Sequence, residues 1–278
     1  MEVPFRKLYS IGMKKTNTID PELFGLACEY VKNLNKGAMG IGTLSEKTIH
    51  AVLKYYYAPN PAYHEIKVGS FVADIMVDGE IMEIQTRGFN NLRRKLDAFL
   101  PEHEVTIIHP IAHTKWLSWI DPDTGEVGKP HKSPKTGSVF HIIPELYKIK
   151  MYLNNEHLHF TIPLIDVQET RLLNGWSYDK KRGSTRNDGI PVGIYNELHI
   201  NTRSDYAILL PDGLPDTFCV KDYKKAAHIS DSIASTGLNI LFSLGLVKRV
   251  GKNGNAYLYE RTGADQPIGD RHCESVGT

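Results

Sequence analysis

The sequence predicts an α/β protein with two folded parts, and three segments carry this prediction. Residues 37–110 follow the order helix, three short strands, helix, strand, and residues 218–259 follow the order helix, helix, hairpin. Between them, residues 171–191 are polar and rich in glycine, and 171–186 hold five Lys or Arg against one Asp. Such a composition is typical of a connection between domains. A chain of 278 residues is long enough to bury a core in each part.

The bulk composition is that of an ordinary globular chain. Charged residues make up 23% and hydrophobic residues 41%, and the net charge is only +1. Any basic surface must therefore come from local segregation of charge. The cysteines, Cys28, Cys219 and Cys273, fit neither a disulfide framework nor a zinc pattern and favour a reducing cytoplasm. Since no apolar run approaches the roughly 18 residues of a membrane span, we expect a cytoplasmic protein without membrane contact.

Two helices are predicted before the first strand. The first begins at Asp20-Pro21 and ends at Gly37. The second begins near Thr43 and carries Glu46 on the side of its apolar stripe. Glu46 has two interpretations: it closes a capping box back onto the N–H of Thr43, or it is a functional carboxylate. The strands that follow favour the second interpretation.

Tight turns set the register of three antiparallel strands between Tyr63 and Arg87. Asp78-Gly79 is a strong two-residue hairpin signal, and Gly69-Ser70 is a weaker one. Counting outward from these turns places Asp74 opposite Glu83 on one side and opposite Glu65 on the other. The sequence therefore predicts three carboxylates side by side on one face of the sheet.

Like charges that face each other across a strand pair are destabilising, so a row of carboxylates needs a counter-charge or free access to water. Asp74 lies in the apolar run 71–77, which predicts a strand buried on both faces. Carboxylates together with water are the ligands that Mg²⁺ prefers. We therefore expect Asp74, Glu83 and Glu65 to bind Mg²⁺ or Mn²⁺. The alternative is a solvated sheet edge that binds no ligand.

The ordered set of residues resembles the signature of the PD-(D/E)XK nuclease superfamily. Asp74 is followed nine residues later by Glu83, and Gln85 stands where the family usually has Lys. Glu46 matches the Glu that the family carries on the preceding helix, whereas Ala73 replaces the usual Pro. The resemblance covers roughly residues 37–110 and implies a restriction-endonuclease-like αβββαβ core.

The resemblance also implies roles for individual residues. Asp74 and Glu83 hold the metal, with the backbone carbonyl of Ile84 as a third ligand. Glu46 holds the attacking water or a second ion. Gln85 takes the position of the lysine that steadies the water or the scissile phosphate, and its neutral amide can orient a water without supplying charge.

Lys67 is predicted to supply the missing positive charge. The hairpin register places Lys67 on the same face as Glu65 and opposite Val72, which Gln85 also faces from the other strand. Two strands separate Lys67 from Gln85, about 10 Å at the backbone, and a lysine stem spans much of that distance. The alternative is that Lys67 pairs with Glu65 or faces water.

A basic amphipathic helix and a buried strand are predicted after the hairpins. One face of the helix is apolar, and the other carries Arg93, Arg94 and Lys95, with Arg87 just before it. Arg87, Arg93 and Arg94 are expected to contact the DNA backbone, unless this face is simply solvated. The strand covers 105–108.

The C-terminal part resembles a winged helix-turn-helix domain. Helices are predicted at 218–229 and 231–244, followed by a hairpin whose strands cover 246–250 and 256–259. In that family the second helix enters the major groove, and its exposed groups here are Ser232, Ser235, Thr236 and Asn239. The hairpin carries three basic residues expected to contact DNA, Lys248, Arg249 and Lys252. The alternative is a winged helix used for dimerisation or partner docking.

These predictions combine into one domain plan and one function. The plan is a nuclease-like domain at 1–166, a basic linker at 167–196, a winged-helix domain at 197–262 and a flexible tail at 263–278. The expected function is Mg²⁺-dependent hydrolysis of DNA by an endonuclease, and homodimerisation is compatible with it. The alternatives are a catalytically inactive nuclease fold that regulates through DNA binding, and a protein-interaction module that binds no nucleic acid.

Overall fold

The computed structural model divides the chain into two compact units, Met1–Asn201 and Thr202–Thr278. The residues that the structure describes are 18–36, 44–121, 123–172 and 185–262. The tail expected at 263–278 lies outside these residues. The first unit is a mixed α/β structure, and the second combines helices with a small sheet.

Two helices, α1 (Pro21–Lys36) and α2 (Leu44–Tyr57), open the first unit. The Asp20 carboxylate accepts the Leu23 N–H at 2.9 Å, which confirms the predicted cap of α1. The apolar faces of both helices pack against the sheet in one core, with Phe24, Leu53, Tyr56, Ile75 and Ile165 among its members. No helix in the described ranges is long and apolar enough to cross a bilayer.

The three predicted strands form as β1 (His64–Val68), β2 (Phe71–Val77) and β3 (Glu80–Ile84). Val68 faces Phe71 and Val77 faces Glu80, so both two-residue turns and the register that they set are confirmed. Asp78 and Gly79 both have positive φ, as this type of turn requires. The expectation that β2 is buried on both faces was wrong, because Val72 is 48% exposed and burial alternates along the strand.

Helix α3 (Arg93–Phe99) and strand β4 (Val105–Ile108) follow, so the predicted order of helix, three strands, helix and strand is present. A 3₁₀ turn at Phe89–Leu92 precedes α3 and packs Phe89 against Phe160. Strand β4 runs parallel to β3, and this brings the carboxyl ends of both strands to the same edge of the sheet.

The remaining elements of the first unit complete its sheet. They are β5 (Ile111–Ile120), β6 (His131–Lys132), α4 (Ile143–Lys148), β7 (Leu158–Leu172) and β8 (Thr185–Ile200). Within the described residues the sheet has eight strands in the order β1-β2-β3-β4-β7-β5-β6, with β8 paired to β7. Strand β7 is parallel to both β4 and β5 and antiparallel to β8.

The structure does not place a linker at 167–196. Strand β7 continues to Leu172, and β8 pairs with it from Thr185 onward, so both ends of the expected linker are sheet. The polar character of this region misled the prediction, since Glu169 is buried but is neutralised by Arg171 at 2.8 Å. Residues 173–184 lie outside the described ranges. The boundary between the units falls after Asn201 rather than at 166.

The second unit contains the predicted pair of helices and the hairpin. Its elements are a 3₁₀ segment (Arg203–Leu209), β9 (Thr217–Phe218), α5 (Val220–Ala227), α6 (Asp231–Ser243), β10 (Val247–Asn253) and β11 (Ala256–Arg261). The hairpin strands are longer than expected and meet at a turn of two residues, Gly254 and Asn255. Strand β9, which the sequence did not predict, joins the hairpin as a third strand.

Candidate functional site

A cavity of about 470 Å³ lies where strand β3 ends, between α2, the first hairpins and α3. We call it the carboxylate cavity; its lining is His50, Asp74, Glu83, Ile84, Gln85, Thr86, Asn91, Leu92 and Lys95. Asp74, Glu83, Ile84 and Gln85 were all predicted to belong to one site, and the structure brings the four together.

Asp74 is held in place by two donors. One carboxylate oxygen, Oδ2, accepts the Ile84 N–H at 2.9 Å and lies 3.1 Å from Nε2 of His50. Burial by itself would raise the pKa of Asp74, but the His50 and Ile84 contacts and the Lys95 charge outweigh it, and the pKa is lowered. Asp74 is therefore a fixed carboxylate that carries its negative charge across the ordinary pH range.

Glu83 is almost fully buried, with an exposure of 2%. Burial and the neighbouring Asp74 charge raise its pKa to about 7, although Lys95 acts in the opposite direction. The Lys95 ammonium contacts both oxygens of Glu83, at 2.9 and 2.7 Å. The site therefore combines one firm anion, one carboxyl that titrates near neutrality and one cation.

The carboxylates of the cavity can hold Mg²⁺ or Mn²⁺ only if other oxygen atoms complete the coordination of the ion. In the described residues, no group of three or more His, Cys, Asp or Glu side chains is arranged to hold a metal. Asp74 and Glu83 would therefore share the ion with backbone carbonyl and water oxygens. Mg²⁺ suits this arrangement because it retains several waters and is often held by only one or two carboxylates.

Gln85 lines the cavity, but the hydrogen bonds described for it go to neighbouring residues of the fold. Its N–H donates to the Ile108 carbonyl at 2.9 Å, and its carbonyl accepts from Nδ1 of His109 at 2.7 Å. Its side-chain amide donates to the Arg87 carbonyl. These contacts hold the end of β3 against the end of β4.

Glu65 does not line the cavity, although it was predicted to be a metal ligand. Its φ is +55°, and the β1–β2 ladder pairs the residues on either side of it but not Glu65 itself. Its side chain is 73% exposed and pairs with the buried Lys54 of α2 at 3.0 Å. The Lys54 hydrogen bond and charge lower the pKa of Glu65. The helix therefore supplies the counter-charge that a metal was expected to provide.

Lys67 faces Val72 in the sheet, as predicted, but it is exposed and does not line the cavity. The lysine that reaches the carboxylates is Lys95, from the first turn of α3. The sequence assigned Lys95 only to the basic face of that helix. Lys95 therefore occupies the position beside a carboxylate that was expected of Lys67.

Helix α2 contributes a residue that the sequence analysis missed. Glu46 lies on α2, but its side chain is outside the described residues. His50 follows four residues later on the same helix face and lines the cavity. That i, i+4 spacing from Glu46 was the available signal, because a helix that directs one polar residue toward the site directs the next one there as well.

The arginines predicted to contact DNA differ in their surroundings. Arg93 is exposed, but its guanidinium donates to the Lys148 carbonyl at 2.9 Å. Arg94 is exposed and lies 5.9 Å from the centre of the Phe71 ring. Arg87 is exposed and follows the cavity residue Thr86 in the chain.

The basic residues of the second unit are exposed on its hairpin. The Arg249 guanidinium lies over the rings of Phe242 and Tyr257, at 4.4 and 4.1 Å from their centres. Lys252 also contacts Tyr257, and Lys248 pairs with Glu260 at 3.2 Å. On helix α6, Ser232 and Ser235 are exposed, while Thr236 and Asn239 are half-buried.

A family model described as "Domain of unknown function (DUF8091)" matches residues 47–201, more than half of the chain. A protein of Treponema pallidum (strain Nichols), described as "Uncharacterized protein", is 27% identical over 245 residues. That match covers 84% of this chain and 90% of the other protein. No solved structure matches the chain. The span of the family model includes every residue that lines the carboxylate cavity.

Proposed function

We propose that this chain, which belongs to the family described as a domain of unknown function (DUF8091), is a Mg²⁺-dependent DNA endonuclease. The observation that carries the proposal is the arrangement of Asp74, Glu83 and Lys95 in one cavity at the end of a hairpin. Two carboxylates from adjacent strands can hold a metal ion that assists phosphodiester hydrolysis, and a lysine beside them can contact the phosphate. The element order around this cavity supports a PD-(D/E)XK-like core.

We assign separate roles in the reaction to residues of the carboxylate cavity. Asp74 and Glu83 would hold the ion, which would polarise the phosphate and lower the pKa of a water. His50 and the Ile84 N–H keep the Asp74 carboxylate in one orientation. Lys95 steadies the scissile phosphate or the attacking water with a positive charge, which the neutral amide of Gln85 cannot supply.

A direct test is to incubate the purified protein with supercoiled plasmid, linear duplex and branched DNA, each with Mg²⁺, Mn²⁺ or EDTA. We expect nicked or linear products with either metal and no products in EDTA. Comparing the three DNA forms identifies the substrate structure. A protein that leaves all three forms intact with both metals would contradict the proposal.

The raised pKa of Glu83 leads to a pH-dependent metal affinity. A metal binds the deprotonated carboxylate, so it competes with a proton that leaves Glu83 at about pH 7. The pKa of Asp74 is lowered, so Asp74 stays ionised throughout this range. We expect Mn²⁺ affinity to be level above about pH 8 and to fall by up to about tenfold per unit below about pH 7. Calorimetric titrations between pH 5.5 and 8.5 check this, and a flat profile would exclude Glu83 as a ligand.

The second unit fits a winged helix that binds DNA through its hairpin. Neutralising Arg249 and Lys252 together should weaken binding about equally on all sequences and lower the log–log salt slope by roughly 2, since each lost phosphate contact removes about 0.9. Lys225→Met, an exposed charge on α5, is the matched control. Fluorescence anisotropy at several salt concentrations measures both quantities. An unchanged slope in the double variant would assign this unit to protein contacts.

A catalytically inactive DNA-binding protein is the second candidate, and the Glu83–Lys95 pair is what favours it. Because the Lys95 ammonium contacts both oxygens of Glu83, it occupies the position that a metal ion would take beside this carboxylate. The two candidates differ in whether the protein binds a metal ion at Glu83. Only the endonuclease requires an ion to displace the Lys95 ammonium from Glu83 or to bind this carboxylate together with it.

A further inference from the structure

A second cavity of about 440 Å³ lies in the first unit, beside strand β5. We call it the basic cavity; its polar lining includes His109, Lys115, Ser133, Lys135, Thr136 and Arg171. None of these lining residues is acidic. The cavity therefore presents cations and hydroxyl groups without an opposing carboxylate in its wall.

The charges of this cavity are available to a ligand. Lys115 and Lys135 form no ion pair with any of the described residues, which makes them unlike Lys54 and Lys95. Arg171 is held at 2.8 Å by the buried Glu169, which accepts from its Nε and from one terminal nitrogen. A guanidinium has five N–H groups, so Arg171 keeps donors for a second acceptor while its position stays fixed.

The wall that carries the hydroxyls is built onto β5. The Ser133 N–H donates to the Lys115 carbonyl at 2.8 Å, and the Gly137 N–H donates to the His113 carbonyl at 2.9 Å. A Cβ at Gly137 would lie 2.2 Å from the Ala112 carbonyl oxygen, so only glycine permits this close approach. Segment 133–137 therefore has a fixed position, and its Ser133, Lys135 and Thr136 line the same cavity as Lys115.

A hydrogen bond joins a residue of the basic cavity to a residue of the carboxylate cavity. His109 lines the first and donates from Nδ1 to the carbonyl of Gln85, which lines the second, at 2.7 Å. Both residues follow adjacent parallel strands, whose spacing is about 4.8 Å. Ligands of open α/β sheets bind at this carboxyl edge. The two cavities therefore neighbour each other along one edge of the sheet.

We propose that the basic cavity binds a phosphate group of the DNA strand whose phosphodiester is cut in the carboxylate cavity. The proposal rests on the proposed nuclease function, and it adds a second contact point on the same strand. Lys115 and Lys135 supply the charge, Arg171 supplies a directed donor, and the hydroxyls of Ser133 and Thr136 complete the contacts. Phosphate is the fitting ligand because planar guanidinium and point-charge ammonium groups both bind its oxygens.

The test combines Lys115→Met with Lys135→Met and uses Lys129→Met as the matched control. Lys129 is an exposed lysine in the connection between β5 and β6, and it does not line the cavity. Binding of a fluorescent duplex is measured in EDTA, so the result does not depend on cleavage, and inorganic phosphate serves as the second probe. We expect the double variant to lose about tenfold or more in DNA affinity, with a salt slope lower by about 1 to 2. Lys129→Met should match the parent, and the unfolding midpoints of all three proteins should agree.

Each outcome decides a separate point. If the double variant binds DNA with the affinity and slope of the parent, the strand-phosphate proposal is overturned, even when the parent cuts DNA. If inorganic phosphate binds the parent and not the double variant while DNA affinity is unchanged, the cavity holds a free phosphate and the proposal is again overturned. If affinity and slope both fall in a protein that cuts no DNA, the contact with a DNA phosphate stands, but the nuclease function fails and with it the assignment of that contact to a strand that is cut.

Discussion

Asp74→Asn is expected to lower the rate of DNA cleavage by about a thousandfold or more, equivalent to about 4 kcal/mol of transition-state stabilisation. Asparagine keeps the shape of the side chain and can still accept the Ile84 N–H, but it lacks the charge that holds the ion. The rate of plasmid nicking in single-turnover conditions with Mg²⁺ measures the effect.

Asp78→Asn is the matched control, because it makes the same chemical change in the turn of the same hairpin. Asp78 is exposed and has φ of +51°, a conformation that asparagine tolerates well. We expect this variant to cut at the parental rate. Equal rates for Asp74→Asn and Asp78→Asn would remove Asp74 from the reaction.

Lys95→Met is expected to slow cleavage by about tenfold to a hundredfold, or about 1.4 to 2.7 kcal/mol. The methionine keeps most of the apolar stem of Lys95 but takes away the ammonium that contacts Glu83. Loss of the ammonium also raises the pKa of Glu83, so Mn²⁺ affinity is compared at a pH where the carboxylate is deprotonated in both proteins; there it should stay level or rise, because a cation that competes for Glu83 is gone. A fall in rate without a fall in metal affinity separates a role in chemistry from a role in metal binding.

The control for this prediction is Lys67→Met, which changes the exposed lysine of β1. We expect Lys67→Met to cut at the parental rate, because Lys67 does not line the cavity. The opposite pattern, with a slow Lys67→Met and a normal Lys95→Met, would return the role to Lys67.

The parts of the fold that the sequence predicted depend on local signals. Asp78-Gly79 and Gly69-Ser70 specify two-residue turns, and a two-residue turn fixes the register of the strands that it joins. The juxtaposition of Asp74 and Glu83 follows from that register alone. The cap of α1 at Asp20 is local in the same way.

The parts that the sequence did not predict depend on contacts between distant elements. The contact of Lys95 with Glu83 needs the distance from α3 to the sheet, which strand counting cannot supply. The loss of Glu65 from the cavity needs Lys54 on α2 and a positive φ, and neither is visible in a hairpin pattern. The pairing of β7 with β8 was missed because residues 171–191 are polar and rich in glycine, and because the paired residues lie far apart in the sequence.

The most direct measurement of the central claim is equilibrium binding of Mn²⁺ to the parent and to Asp74→Asn at about pH 8, without DNA. At this pH Glu83 is deprotonated, since its pKa is about 7, so only Lys95 competes with the ion. We expect the parent to bind Mn²⁺, Asp74→Asn to lose this binding and Asp78→Asn to keep it. A parent protein that binds no Mn²⁺ under these conditions, with Lys95 remaining the sole cation at Glu83, would contradict a metal-dependent nuclease and leave the inactive DNA-binding protein.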